Sequence, residues 1–465
     1  MGNGAIWRNW PATFYNLRFT IYDLRFTIYD LRFTIYDLKK VAFHTLGCKL
    51  NFSETSEIGR QLEGAGFERV SFGTRADVTV IHTCSVTGSA DRKTRQAIHK
   101  AVQTSPEGFI VAMGCLAQLK PEELASWHGV DLVLGTSEKF DLAKYLGDIR
   151  KKPVAEIHSC EIAEEDKFFP AHSTSERTRA FLKVQDGCDY PCSYCTIPKA
   201  RGRSRNPFIT IILEQAKELA NKGLHEIVLT GVNIGDFGKT TGESFLDLVK
   251  ELDDIDGILR FRISSIEPNL IPDDLVRFVA DSKRFAPHFH IPLQSGSDKI
   301  LRLMRRRYLR KTFAERVEKI KELMPDAAVG ADVIVGFPGE TQEDFEDACL
   351  FIQSLPLSYL HVFTYSERAG TDAATMNEKI PERIRDERSK ILHKIGNQLK
   401  MNFYLSLAGS ERTVIFEQRR KDVTVTGFTE NYAEVVIPWE EGIVHQIKRV
   451  RLGELSGDLI TATLL

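Results

Sequence analysis

Cys188, Cys192 and Cys195 lie together in the stretch RAFLKVQDGCDYPCSYCTIPKARGRSR (179–205), spaced Cys-x3-Cys-x2-Cys. Three thiols this close cannot form a disulfide ladder, and no His or Cys follows nearby to complete a four-ligand zinc site. Three thiolates suit a [4Fe–4S] cluster with one iron left free. A free iron can chelate a substrate or cofactor, which makes the cluster a reactive centre rather than an electron wire. Tyr194, next to the last cysteine, is placed to shield one side of it.

Three further cysteines form no local motif but share a position. VAFHTLGC (41–48), DVTVIHTC (77–84) and FIVAMGC (109–115) are short apolar runs ending at Cys48, Cys84 and Cys115, two of them directly after a glycine. Helical stretches are expected to follow over 53–65, opened by Ser53 as N-cap, over 88–104 and near 121–126. Such alternation predicts a doubly wound parallel α/β sheet with helices on both faces, whose ligands lie beyond the carboxyl ends of the strands. The three thiols could therefore converge on one metal site, or be buried as small hydrophobes. Cys160, and Cys349 within EDFEDACLFI, have no Cys or His partner at metal spacing and read as spectators.

Apolar runs near 179–185, 224–230, 258–265, 287–293, 327–335 and 358–364 alternate with helical stretches. Six βα units predict a partial (β/α)6 barrel with its chemistry at the carboxyl ends of the strands. Residues 151–176 are polar and read as a linker, and 403–465 turn strand-rich, as in a small β-barrel. The domains expected are thus 40–150, 177–402 and 403–465. Residues 17–37 repeat LRFTIYD three times without a helical seam. Residues 1–39 are expected to be a disordered extension, or an expanded DNA repeat read through an upstream start.

The composition narrows the class. The 465 residues carry a formal net charge of −2, with 42% hydrophobic and 27% charged, which excludes a globally basic nucleic-acid binder but not a local basic surface. No uninterrupted apolar stretch is long enough to span a membrane, and the first residues lack a signal-peptide core. Eight cysteines are too few for a disulfide scaffold. A cytoplasmic protein is expected. Lys199, Arg201, Arg203 and Arg205 alternate beyond the cysteine loop, and Arg302, Arg305, Arg306, Arg307, Arg310 and Lys311 gather around Tyr308. Basic groups on an active-site rim can hold RNA phosphates. Residues 403–465 hold 7 basic against 9 acidic side chains, no obvious electrostatic platform, although Phe428 and Tyr432 offer stacking surfaces.

CxxxCxxC after the first strand of a βα barrel resembles the signature of the radical S-adenosylmethionine (SAM) enzymes. With Cys48, Cys84, Cys115 and the C-terminal β domain, the chain is similar over about 40–465 to the methylthiotransferase branch of that superfamily. FHTLGCKLN (43–51), FLKVQDGC (181–188) and GFTENY (427–432) look most like the members that act on N6-threonylcarbamoyladenosine in tRNA. The resemblance implies two [4Fe–4S] clusters, on Cys188, Cys192 and Cys195 and on Cys48, Cys84 and Cys115, with two SAM molecules per turnover. One SAM, cleaved at the first cluster, would give the radical that removes hydrogen from adenine C2. The second cluster would present sulfur, methylated from the other SAM. SAM contacts are implied at Gly231, Ser265, Glu267, Gln294, Gly336 and Gly339. RNA contacts are implied at Lys199, Arg201, Arg203, Arg205, Arg306 and Arg307, and a tRNA-binding TRAM domain at the C-terminus. A low-potential electron donor such as flavodoxin or ferredoxin, and a sulfur donor, would be partners. Isopentenylated adenosine in tRNA, a ribosomal-protein aspartate, or RNA binding without catalysis are the alternatives.

Overall fold

The computed structural model describes residues 38–465 except 87, 175–177 and 421–422, so the expectations for the repeat lie outside the described residues. The first domain is built on a six-stranded, wholly parallel sheet. Its strands are β1 (Lys39–Thr45), β2 (Phe67–Val70), β3 (Val78–Thr83), β4 (Phe109–Gly114), β5 (Leu132–Leu134) and β6 (Glu156–His158), in the order β2-β1-β3-β4-β5-β6. Every residue of β3 and β4 is buried, as expected of central strands covered on both faces. The strand order reverses between β1 and β3, and Cys48 and Cys84 lie just past the ends of those two strands. A ligand crevice opens at such a switch point.

Helix α1 (Lys49–Gly64) begins directly after Cys48, whose extended backbone makes it the N-cap. The expected start at Ser53 is therefore corrected: Ser53 is buried one turn inside the helix and donates to Leu50 O. Helices α2 (Gly88–Thr104), α3 (Cys115–Leu119) and α4 (Pro121–Ala125) follow β3 and β4. The segment 151–176 is not only a linker, because its β6 adds the last strand of the sheet, pairing with β5.

The second domain holds β7 (Arg179–Lys183), β8 (Glu226–Thr230), β9 (Arg260–Ile263), β10 (His288–His290), β11 (Ala328–Val335) and β12 (Tyr359–Thr364). They form two parallel sheets, β7-β8-β9 and β10-β11-β12, joined by single bridges at Phe261–Phe285 and Ser265–His290. The result is the partial six-stranded barrel the sequence predicts. Its strands pack against α6 (Ile209–Asn221), α7 (Phe245–Asp253), α8 (Asp273–Asp281), α9 (Arg310–Leu323) and α10 (Gln342–Ser354), with Phe261, Phe289 and Phe313 fully buried between them. Truncating any of these rings to Ala would cost about 3–5 kcal/mol. Short helix α5 (Ile197–Arg201) follows the cysteine loop.

The 25-residue helix α11 (Glu382–Ser406) runs from the barrel into the third domain, so the expected boundary at 402/403 falls inside a helix. Its Phe403 and Tyr404 enter the third core. That domain is a closed five-stranded barrel of β13 (Glu411–Arg419), β14 (Thr424–Thr429), β15 (Glu434–Pro438), β16 (Ile447–Ser456) and β17 (Leu459–Leu464). No helix among the described residues is long and apolar enough to cross a membrane.

Candidate functional site

Two glycines set the first cysteine triad. Gly47 (φ +98°) and Gly114 (φ +100°) immediately precede Cys48 and Cys115. A Cβ on Gly47 would stand 2.8 Å from Cys84 Sγ, so only glycine lets the Cys48 loop close onto Cys84. A Cβ on Gly114 would meet the His82 ring at 2.5 Å. The thiols of Cys48, Cys84 and Cys115, at the ends of three strands, are near enough to influence one another electrostatically. Burial pushes the Cys84 thiol up to about 12.

Behind this triad lies a charge network the sequence does not reveal. Glu54 of α1 is fully buried and holds Lys139 (2.6 Å), Lys183 (2.8 Å) and Arg201 (2.9 Å). Asp186 holds Lys183 (2.7 Å) and Arg201 (2.9 Å), with Arg205 at 3.5 Å. Burial alone would raise the Glu54 carboxyl, but Arg201, Lys139 and Lys183 outweigh it and hold it well below the usual range. Four buried cations face two carboxylates beside three thiols, and this excess of positive charge fits an anionic thiolate-ligated cluster. The network also joins the first domain to the barrel.

The Cys188 loop is tied down at both ends. Asp186 and Arg205 exchange backbone hydrogen bonds at 2.9 Å, and Cys188 N–H donates to Gly202 O at 3.0 Å. Gly187 (φ +69°) lies under the Arg203 carbonyl, where a Cβ has no room. The N–H groups of Tyr190 and Ile197 donate to Cys188 Sγ and Cys195 Sγ, each at 3.4 Å, and Arg306 donates to Cys192 Sγ at 3.1 Å. Donors aimed at sulfur favour thiolate ligands. Burial raises Cys188 to about 12 and Cys195 to about 11. Tyr194 meets Phe337 edge-on, with ring centroids 6.2 Å apart.

Gln185 connects this loop to the rim of the barrel, accepting from the N–H groups of Val232 and Asn233, each at 2.9 Å, and donating to Asp186 O and Gly187 O. Gly231 packs against Ile234 and Gln185, where a side chain would collide. Nearby, Asn233, Ser264 and Glu267 are buried, yet both amide atoms of Asn233, Ser264 Oγ and Glu267 Oε2 lack hydrogen-bond partners among the described residues. Unsatisfied polar atoms of this kind mark a place for a polar ligand. The rim therefore fits the amino-acid portion of SAM.

A cavity of about 560 Å³ joins all three domains. Cys48, Lys49 and Leu50 line it from the first domain, Tyr432 from the third, and Gly231, Ser265, Arg179, Arg262, His290 and Asp332 from the barrel. His290 Nε2 and His361 Nδ1 donate to Asp332 Oδ1 at 2.9 and 3.2 Å, and both His288 and His290 reach the Tyr359 hydroxyl. Arg179, Arg260 and Arg262 gather on Glu226. Burial would raise that carboxyl, but the three guanidiniums bring it down to about 2. Arg262 Nη1 also donates to Glu430 O, and Arg260 to Thr413 O, docking the third domain on the barrel. Tyr432 lines the cavity and is backed by Phe428, stacked at 4.9 Å.

The expected site residues divide. Gly231 and Ser265 line the cavity, while Glu267, Gln294, Gly336 and Gly339 do not. Glu267 pairs with Arg306 at 2.5 Å. Gln294 (φ +65°) donates its N–H to Asp332 O. Gly336 N–H goes to Glu340 and Gly339 N–H to Glu378 O. Arg201 and Arg205, expected as RNA contacts, are corrected: they are 1% and 3% exposed, drawn inward by Glu54 and Asp186. Arg306 is likewise internal, committed to Glu267, Tyr308 and Cys192. Arg203, Lys199 and Arg307 are exposed, with Arg307 lying over the Tyr190 ring at 3.8 Å. In the second basic run Arg305 pairs with Asp372 and Arg310 with Asp347.

Comparisons with known proteins show the family and the fold. Residues 182–352 match the model of the radical SAM superfamily, and 40–135 match a family described as the uncharacterized protein family UPF0004. The threonylcarbamoyladenosine tRNA methylthiotransferase of Bacillus subtilis is 39% identical over 422 residues, covering 89% of this chain and 93% of its own. That of Aquifex aeolicus is 40% identical over 399 residues, 85% and 96% of the two chains. A tRNA-2-methylthio-N6-dimethylallyladenosine synthase from Methylacidiphilum infernorum is 31% identical, covering 91% and 94%. Among solved structures, the radical SAM methyltransferase TsrM from Kitasatospora setae overlays 70% of this chain and 73% of its own with a TM-score of 0.54 at 13% identity, a likeness of fold.

Proposed function

The chain belongs to the radical SAM tRNA methylthiotransferases, and on that premise we propose that it inserts a methylthio group at C2 of N6-threonylcarbamoyladenosine beside the anticodon of tRNA. One observation carries the reading: a single cavity bounded by Cys48, the rim residues Gly231 and Ser265, and Tyr432. A base held there lies against the domain of one cysteine triad and the barrel that carries the other. When bound, a [4Fe–4S] cluster on Cys188, Cys192 and Cys195 supplies the electron for SAM cleavage, and one on Cys48, Cys84 and Cys115 supplies sulfur, with two SAM consumed per turnover.

The chain's own residues do the rest. Gly231 lets Gln185 and Ile234 pack closely at the rim, and Asn233, Ser264 and Glu267 offer the cofactor their unpartnered atoms. Arg306 holds Glu267 and Cys192 in fixed relation. Tyr432, backed by Phe428, gives the base an aromatic wall. Lys199, Arg203 and Arg307 on the surface serve the RNA backbone, and the C-terminal barrel acts as a TRAM domain. A flavodoxin- or ferredoxin-like donor and a sulfur donor complete the cycle, in the cytoplasm.

Mass spectrometry of tRNA nucleosides from a host lacking the modification tests this, with residues 39–465 expressed. The expected product is 2-methylthio-N6-threonylcarbamoyladenosine. Appearance of 2-methylthio-isopentenyladenosine instead would keep the chemistry and overturn the substrate.

A further inference from the structure

We propose that Lys49 selects the substrate by binding the carboxylate on its N6 substituent, an inference that rests on the substrate reading above. Lys49 is the first residue of α1 and lines the cavity next to Cys48. The other charged groups on that wall are already engaged. Arg179 is held by Glu417 at 2.7 and 3.0 Å, and Arg262 by Glu226 at 3.1 Å and by the Glu430 carbonyl. Asp332 is taken by His290 and His361. Lys49, by contrast, forms no ion pair or side-chain hydrogen bond among the described residues, although the Asp332 carboxylate lies near enough to act on it electrostatically.

An exposed ammonium on the cavity wall, beside two guanidiniums and without an ion pair among the described residues, is a place for a ligand's anion. Its field is strengthened by the N-terminus of α1, whose first turn contains no acidic residue. The chemistry of the base supplies the match. In N6-threonylcarbamoyladenosine the substituent on C6 and the carbon C2 flank N1 on one edge of the ring. A carboxylate carried by that substituent therefore lies on the side of the base where sulfur must arrive. Lys49, adjacent in sequence to Cys48, anchors that edge toward the first triad. An isopentenyl group offers no charge, and a cavity with an unneutralised cation disfavours it.

Anaerobically reconstituted full-length enzyme is assayed on anticodon stem-loop RNA carrying threonylcarbamoyladenosine, or its methyl ester, with 2-methylthio product read by mass spectrometry. The measured quantity is the acid-to-ester ratio of kcat/KM within one preparation, so any loss of cluster in a variant lowers both substrates and cancels. A charged hydrogen bond predicts that wild type favours the acid by about tenfold or more, mainly through KM. K49M brings the ratio close to one, and K49R keeps most of the preference. A ratio that K49M leaves unchanged, as a contact to phosphate or SAM would give, overturns the proposal. Wild-type product on isopentenyladenosine RNA and none on the acid would instead overturn the substrate reading itself.

Discussion

Arg201 and Arg203 stand two positions apart, yet one is 1% exposed and the other faces solvent. Their alternation with Arg205 looks like a phosphate-binding comb, but Gly202 (φ +75°) turns the chain so that Arg201 and Arg205 point into the acidic network. Removing Arg201 leaves part of the buried charge of Glu54 and Asp186 uncompensated, so Arg201→Ala should cost about 3–5 kcal/mol in a denaturant titration. An unchanged midpoint would mean that the ion pairs in the first domain's interface contribute nothing. Arg203→Ala and Arg307→Ala should behave oppositely. Each should leave stability within about 0.5 kcal/mol and weaken tRNA binding, lowering the slope of log K against log salt by roughly one. Filter binding across a salt series reads this directly, and an unaltered slope would remove these residues from the RNA surface.

At the scale of elements, the glycines before Cys48 and Cys115 convert strand ends into a thiol cradle. Gly47→Ala forces a Cβ against Cys84 Sγ in a backbone conformation that alanine avoids, so iron content of the reconstituted protein should fall while the far-ultraviolet dichroism persists. Full iron content in Gly47→Ala would show that the cradle tolerates the shift. The strand–Cys–helix rhythm of the first domain was legible because β3 and β4 are buried on both faces and read as unbroken apolar runs. The barrel strands were legible from apolar runs alternating with helical stretches, although β12 has no buried residue and β9 carries two arginines, and the structure shortens their expected ranges by only a few residues. Strands β5, LVL, and β6, EIH, have three residues each and carry no periodicity to detect. The start of α1 was missed because its cap is a cysteine that makes no side-chain cap bond, whereas Ser53 has the composition of one. Pairings such as Glu54 with Arg201, 147 residues apart, leave no local trace, and neither does the gathering of His290, Asp332 and His361 from three strands. Gly336 and Gly339 had the right composition for a ligand loop, but their N–H groups are used within the fold.

For the whole molecule, buried ionisable groups hold the three domains together, and they set its response to acid. Burial drives His82 and His288 well below the ordinary histidine range, and with Arg60 brings His172 to about 4. An unfolded chain therefore takes up protons below about pH 6.5 that the folded chain refuses, and stability falls from there. Glu54 and Glu226, depressed in the folded state, add stability above the unfolded carboxylate range that is lost as pH falls below about 4.3. Urea midpoints should be flat from about pH 8 to 6.5, decline toward pH 4.5 and drop more steeply below. A midpoint constant down to pH 4.5 would contradict the buried-histidine assignment. The central claim is that two cysteine triads with separate tasks serve one cavity. The most direct test replaces Cys48, Cys84 and Cys115 together by Ala in anaerobically reconstituted enzyme, then measures iron, 5′-deoxyadenosine and methylthiolated nucleoside in the same reaction. Iron should fall to about half, consistent with loss of one of two four-iron clusters. SAM cleavage should persist, and no methylthio product should form. Loss of SAM cleavage along with the product, or product formed without these three cysteines, would contradict it.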